Sequence, residues 1–123
     1  MLTAGLTDKE KRWNAFVEMV CMKDLETLSP TQKRAALCCR YDMEMENGGH
    51  SSFFDCCPDI DHNELIEAIN TIAYPAIADN FLKALYEDET NDWVNTDAAY
   101  YNFEPSLSAC LMRYVEENKD IIF

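Results

Sequence analysis

Glycine and long apolar runs are scarce in this 123-residue chain, and each scarcity excludes a class of protein. Its three glycines form no loop of the kind that cradles nucleotide phosphates. No stretch approaches the roughly 18 consecutive apolar residues that a membrane span requires. The first residues, Met1-Leu2-Thr3-Ala4, lack the basic region and apolar run of a secretion signal. We therefore expect a cytoplasmic protein that does not bind membranes.

Basic side chains are also scarce, and their distribution is uneven. The chain has 10 Lys and Arg against 23 Asp and Glu, a formal charge of −13. Residues 1–40 hold seven basic and five acidic side chains, whereas residues 41–123 hold three basic and 18 acidic. Repulsion between like charges disfavours nonspecific binding to nucleic acid or to anionic lipid. The excess favours a basic partner or a divalent cation, and the alternative is a surface that serves only solubility.

Six cysteines do not predict disulfides here. Two pairs are adjacent, Cys38-Cys39 and Cys56-Cys57, and with no secretion signal reduced thiols are the simpler interpretation. Such thiols behave as small buried hydrophobes. With 48% hydrophobic residues the chain can close one core, so residues 1–123 are predicted to form a single compact domain.

Two helix starts are recognisable in the first half. Thr7-Asp8-Lys9-Glu10 has the form of a capping box, and an apolar stripe follows it to about Met22. Ser29-Pro30-Thr31-Gln32 predicts a second helix that ends near Glu46. Asn47-Gly48-Gly49 then predicts a tight, defined bend, because glycine readily adopts positive φ. A short helical turn should carry Phe53 and Phe54 into the core.

The second half predicts further helices separated by prolines and an acidic loop. A helix should begin at Asp59 or Asp61, and another at Pro75. Residues 86–97 show no helical stripe and predict an acidic loop held by Trp93.

After that loop, Asn95 or Thr96 can cap a short helix through Tyr101, and Pro105 should open the last long helix. The apolar residues 121–123 should dock on the core or in a dimer contact. No run alternates as a half-buried strand does, so the sequence predicts an all-α fold of about six helices, two of them short.

Several of these segments, taken in order, resemble a bacterial helical family. They are Asn47-Gly48-Gly49, Phe53-Phe54, residues 68–73 of the middle helix, and Asp97 ahead of a terminal helix that ends in Arg113-Tyr114-Val115-Glu116-Glu117-Asn118. That family was catalogued as a domain of unknown function and includes a DNA-mimic protein. The family usually has Phe, Gln and Gly where this chain has His50, Ser52 and Ala73. The resemblance implies an all-helical domain, whose characterised member presents carboxylates in place of DNA phosphates to a regulator.

Two acidic groups are the candidate interaction residues. The first comprises Glu87, Asp88, Glu89, Asp92 and Asp97, and the second comprises Asp59, Asp61 and Glu64. The alternatives are a solvated loop for the first group and helix capping for the second. Neither group has the glycine and the spacing of an EF-hand loop, so no calcium site is predicted.

A metal or catalytic site would have to use His50, Cys56, Cys57 and His62. Adjacent cysteines on a helix point about 100° apart and rarely share one ion. No pattern supplies an oxyanion hole or an orienting third residue. Buried thiols and surface histidines are the simpler interpretation, and we predict no cofactor and no enzymatic activity.

The sequence thus favours a protein that binds a partner. The leading hypothesis is a DNA mimic whose carboxylates bind a basic protein, such as a DNA-binding regulator, without any direct contact to nucleic acid. The alternatives are a metal-binding or enzymatic domain built on the His and Cys residues, and an immunity-type protein that neutralises a basic toxin. A monomer and a homodimer both remain open.

Overall fold

The computed structural model describes residues 5–123, and within that range all regular secondary structure is helical and there is no strand. This confirms the predicted all-α fold. Shorter helical turns lie at Val17–Cys21, Leu25–Thr27 and Glu89–Asn91. The α-helices are α1 Asp8–Phe16, α2 Pro30–Cys56, α3 His62–Ile72, α4 Pro75–Tyr86, α5 Val94–Asn102, α6 Leu107–Glu117 and α7 Lys119–Ile122.

The first two helices begin at the predicted capping boxes. Thr7 Oγ1 accepts the backbone N–H of Glu10 at 3.1 Å, and the Glu10 carboxylate accepts the N–H of Thr7 at 3.0 Å. Ser29 and Gln32 make the same reciprocal pair at the start of α2, where Pro30 occupies the first helical position. Each box satisfies backbone donors that a helix start leaves without partners.

The glycine pair bends α2 where the sequence predicts a bend. Within α2 the backbone departs from helical geometry only at Gly48 and at Gly49, whose φ is +74° and ψ is −161°. That combination lies in a region open almost exclusively to glycine. The range of α2 therefore consists of two helical segments that meet at this kink, which confirms the predicted end near Glu46 and the short helical turn that carries Phe53 and Phe54.

Of the later helix starts, one was predicted correctly and two lie elsewhere. Asp61 caps α3, as predicted. Helix α6 is capped by Ser106 and does not begin at Pro105. Helix α5 begins at Val94, directly after Trp93, whose φ is +56°, so Asn95 and Thr96 lie inside the helix and do not cap it. The predicted loop is correspondingly shorter and contains the helical turn Glu89–Asn91.

The core is built around α2, which packs against α3, α5, α6 and α7. Tyr41 lies at its centre, fully buried, with edge-to-face contacts to Phe53 at 5.1 Å, Phe81 at 5.3 Å and Tyr100 at 5.4 Å between ring centroids. Such contacts add to the free energy gained by burying the rings. The two halves of α2, α4 and α5 thus share one aromatic cluster.

The C-terminal apolar tail divides between core and surface. Ile122 is buried, and its backbone oxygen accepts a hydrogen bond from Gln32 at 2.9 Å. Ile121 and Phe123 are exposed. The tail therefore docks as predicted through a single side chain.

In the described range no helix combines the length and the apolar character needed to cross a bilayer.

Substituting Gly49 by Ala should destabilise the protein strongly. The added Cβ would overlap Asp97 Oδ2 and lie 2.8 Å from Asp97 Cγ. The backbone conformation alone costs about 1–3 kcal/mol for a residue with a side chain, and the overlap adds to that cost. Chemical denaturation followed by circular dichroism measures the free energy of unfolding.

Gly5→Ala is the matched control, because Gly5 also has positive φ (+92°) but a Cβ there meets nothing within 4 Å. We expect Gly49→Ala to cost at least about 1 kcal/mol more than Gly5→Ala. Equal costs for the two variants would show that the contact with Asp97 carries no free energy.

Candidate functional site

A buried hydrogen-bond network joins the bend of α2 to α5. His50, the first residue after the bend, is 0% exposed, and both of its ring nitrogens have partners. Its Nδ1 lies 2.7 Å from Asp97 Oδ1 and its Nε2 lies 2.6 Å from the Tyr41 hydroxyl oxygen. The backbone N–H of His50 also donates to Asp97 Oδ1, at 2.9 Å. Asp97 therefore fixes the bend through both the side chain and the backbone of one residue.

Burial sets the charge state of this network. Desolvation lowers the pKa of His50, although the Asp97 carboxylate opposes the effect. Burial also raises the pKa of Tyr41 well above its ordinary value, and the charge of Asp97 raises it further. With a neutral ring, Nδ1–H donates to Asp97 and Nε2 accepts from Tyr41, so all three groups are satisfied.

A second set of polar contacts joins α2 to α5 before the bend. The Tyr100 hydroxyl donates to Asp42, and the Tyr101 hydroxyl donates to the backbone oxygen of Met45. Burial raises the pKa of Asp42; the hydrogen bond from Tyr100 opposes the rise, and the charge of Glu46, one turn further along α2, adds to it. The two helices are thus held together by carboxylates that are partly withdrawn from solvent.

Asp88 caps the start of α5. The side chain is buried, and its Oδ2 accepts hydrogen bonds from the backbone N–H and the hydroxyl of Thr96, both at 2.9 Å. The bond from the Thr96 N–H is the main reason that the pKa of Asp88 is lowered. Since Trp93, at the cap position, offers no side-chain acceptor, Asp88 satisfies the helix start from outside the helix.

Trp93 anchors the acidic loop, as the sequence predicts. Its ring N–H donates to the backbone oxygen of Ala84 at 2.8 Å, and its ring packs on Phe54 at 5.5 Å between centroids. Phe54 also packs edge-to-face on His62 at 5.9 Å. Trp93 and His62, which directly follow Asp92 and Asp61 in the sequence, therefore contact the same aromatic ring.

The members of these groups differ in exposure. Glu87, Glu89 and Asp92 in the first group and Asp59, Asp61 and Glu64 in the second are exposed. Asp88 and Asp97 instead have the internal contacts described above. Asp61 Oδ1 caps α3 through the N–H of Glu64 at 3.0 Å, and the Glu64 carboxylate pairs with Lys33 at 2.7 Å. Six of the eight predicted interaction residues are therefore exposed, and two of these six, Asp61 and Glu64, already have partners within the protein.

Few basic side chains come from the part of the sequence that supplies these carboxylates. Residues 41–112 contain fifteen Asp and Glu but a single basic side chain, Lys83. Among the described residues, Lys and Arg make ion pairs through Arg12 to Glu116, Lys33 to Glu64 and Arg34 to Glu67. Arg40 is directed at backbone oxygens of Cys21 and Lys23. Among residues 5–123 only Asp42, Glu44, Asp88, Asp97 and Glu116 are less than exposed, and the side chain of every other Asp and Glu in that range faces solvent.

The alternative His and Cys site is not assembled. Both ring nitrogens of His50 are occupied, His62 packs on aromatic rings, Cys56 is exposed and Cys57 is half-buried. In residues 5–123 no three His, Cys, Asp or Glu side chains are grouped so that they could hold a metal ion. The expectation of surface histidines is wrong for His50, and that of buried thiols is wrong for Cys56.

Sequence reasoning missed the partners of His50. Tyr41 lies on the buried stripe of α2 and Asp97 is 47 positions away from His50. A polar residue directly after a glycine pair was the one available signal that the bend needs a specific contact. Nothing in the sequence indicates which carboxylate supplies it.

The charge state of His50 predicts a loss of stability in mild acid. In the unfolded chain His50 has its ordinary pKa of 6.5, whereas the folded protein lowers it. Below about pH 6.5 the unfolded state therefore binds a proton that the folded state resists, and the free energy of unfolding falls with pH by up to about 1.4 kcal/mol per unit. The loss should end once the pH passes below the pKa of the folded state.

His50→Gln should flatten this slope between about pH 7 and pH 5.5, and His62→Gln is the control that keeps it. Denaturant titrations at several pH values supply the slopes. A His50→Gln variant whose slope equals that of the wild type would contradict the assignment of a buried neutral ring.

Comparison with known proteins places the chain in a family. The family described as DMP19-like protein matches residues 26–118, which is most of the 123 residues. No curated protein and no solved structure matches. The match agrees with the resemblance found in the sequence, since DMP19 proteins form a DNA-mimic family. This chain belongs to the DMP19-like protein family.

Proposed function

We propose that this protein is a DNA mimic of the bacterial cytoplasm, which binds a basic DNA-binding protein through its exposed carboxylates. The observation that carries the proposal is the composition of residues 41–112, where fifteen carboxylates are accompanied by one basic side chain. Such a field attracts a basic surface over distances of about 10 Å at moderate salt. Membership of a DNA-mimic family supports the same proposed function.

The number of charges is of the order that a mimic needs. Duplex DNA carries one phosphate charge per roughly 1.7 Å of axis, so a domain about 35 Å across replaces roughly 20 phosphates. The carboxylates of residues 41–112, with those of α6 and α7, approach that number. Asp88, which is buried, and Asp97, which is half-buried, use their carboxylates in internal contacts that hold α5 in place.

Binding rather than catalysis is further supported by the state of the buried network. An Asp, a His and a Tyr in a hydrogen-bonded chain resemble the parts of a proton relay. Here, however, the ring of His50 is fully buried and saturated, so no substrate atom can reach its nitrogens. The network serves to position the helices that carry the acidic groups.

A charge-neutralised variant tests the proposed surface. Glu87→Gln, Glu89→Gln and Asp92→Asn together remove three exposed carboxylates of the first acidic group. If that group contacts the partner, affinity should fall roughly ten- to hundredfold, as expected for three contacts between solvent-exposed charges. Glu18→Gln, Glu26→Gln and Asp8→Asn form the matched control, because they change the net charge equally at exposed positions before residue 41.

The partner is obtained by affinity capture from native cell extract at about 50 mM and about 200 mM salt, a range over which phosphate-like binding weakens by orders of magnitude. The captured protein should bind duplex DNA, and this protein should displace it from that DNA. A complex of all three components would contradict mimicry. A partner that binds no DNA would instead favour the immunity-type alternative.

A further inference from the structure

Three sulfur atoms lie close together beside a surface cavity, whose lining also includes Glu44 and Asp59. Cys21 ends the helical turn Val17–Cys21, and Cys39 and Met43 are one turn apart on α2. The Sγ atoms of Cys21 and Cys39 each lie 3.8 Å from the Sδ atom of Met43. Both cysteines therefore contact the same thioether.

The spacing of these atoms suits a single ion. Sulfur ligands lie about 2.3 Å from a bound metal, so three of them around one ion are about 3.8–4.0 Å apart. The distances to Met43 Sδ already have this value. Two of the three sulfur–sulfur distances that such a site needs are therefore present in the folded protein.

The surroundings provide access and a compensating charge. Met43 is 41% exposed and lines a cavity of about 220 Å³ with Met22, Cys56 and Cys57. Arg40 also lines the cavity, and its Nε donates to the backbone oxygen of Cys21 at 2.7 Å.

We infer that Cys21, Cys39 and Met43 form a binding site for Cu(I). Thiolate and thioether sulfur are soft ligands, and a set of two Cys and one Met with no imidazole or carboxylate selects Cu(I) over harder divalent ions. On binding, the thiols lose their protons to solvent and the two thiolates with Cu(I) carry a net charge of −1. The guanidinium of Arg40 lies beside that charge.

The test uses the full chain, reduced and kept without oxygen. Cu(I) is supplied as its coloured bicinchoninate complex, and its transfer to the protein is followed by the loss of that colour. The wild type should withdraw one equivalent. Met43→Leu, which conserves volume at a partly exposed position, should weaken binding by about one to two orders of magnitude, at least the loss known for second-shell changes.

Two double variants separate this site from the other thiols of the cavity. Cys21→Ala with Cys39→Ala should abolish uptake, whereas Cys56→Ala with Cys57→Ala should retain it, with helical circular dichroism as the folding control. If the wild type withdraws no Cu(I), or if the Met43→Leu protein binds it as tightly as the wild type, the inference is wrong. Loss of uptake only in the Cys56 and Cys57 variant would place the ion elsewhere and would also overturn it.

Discussion

The close approach of Asp97 to Gly49 is the contact on which the rest of the structure depends. A side chain at residue 49 would occupy the space of the Asp97 carboxylate, so only glycine lets α5 lie against the bend of α2. Once there, Asp97 binds the N–H and the ring of His50, and His50 in turn binds Tyr41 at the centre of the aromatic cluster. The absence of a side chain at Gly49 therefore fixes the direction of the second half of α2, the position of α5 and the packing of the core.

The same arrangement divides the carboxylates by role. Some are needed inside, where Asp97 fixes the bend, Asp88 caps α5 and Asp42 accepts from Tyr100. Hydrogen-bond donors aimed at each of these carboxylates offset the free energy lost when it is withdrawn from water. Most of the remainder face solvent, and the chain places its Lys and Arg almost entirely before residue 41 or after residue 112, from where Lys33 and Arg34 pair with Glu64 and Glu67. The internal carboxylates thus hold the framework on which the external ones are displayed.

The helices could be predicted because neighbouring residues in the sequence set their starts. The hydrogen-bond network of His50 could not, because its partners are distant in sequence. Both capping boxes, the start of α3 at Asp61, the bend at the glycine pair and the anchoring role of Trp93 depend on residues close in sequence or on a single residue type. The start of α5 was misplaced because its cap is Asp88, eight positions before Thr96 and outside the helix. His50 was taken for a surface residue because the groups that satisfy it, Tyr41 and Asp97, come from two other segments. Which carboxylate turns inward is decided by packing, and composition does not contain that information.

The anchoring of the acidic loop has a consequence for association. Residues 87–93 are held at Trp93 by Ala84 and Phe54, and at Asp88 by Thr96, so the intervening carboxylates sit on a short segment fixed at both ends. A flexible loop that became ordered on contact would lose conformational entropy, and that loss would subtract from affinity. A phosphate lattice is itself stiff on the scale of a protein surface. A partner that meets this loop therefore meets charges whose spacing is set before the encounter, much as it does on duplex DNA.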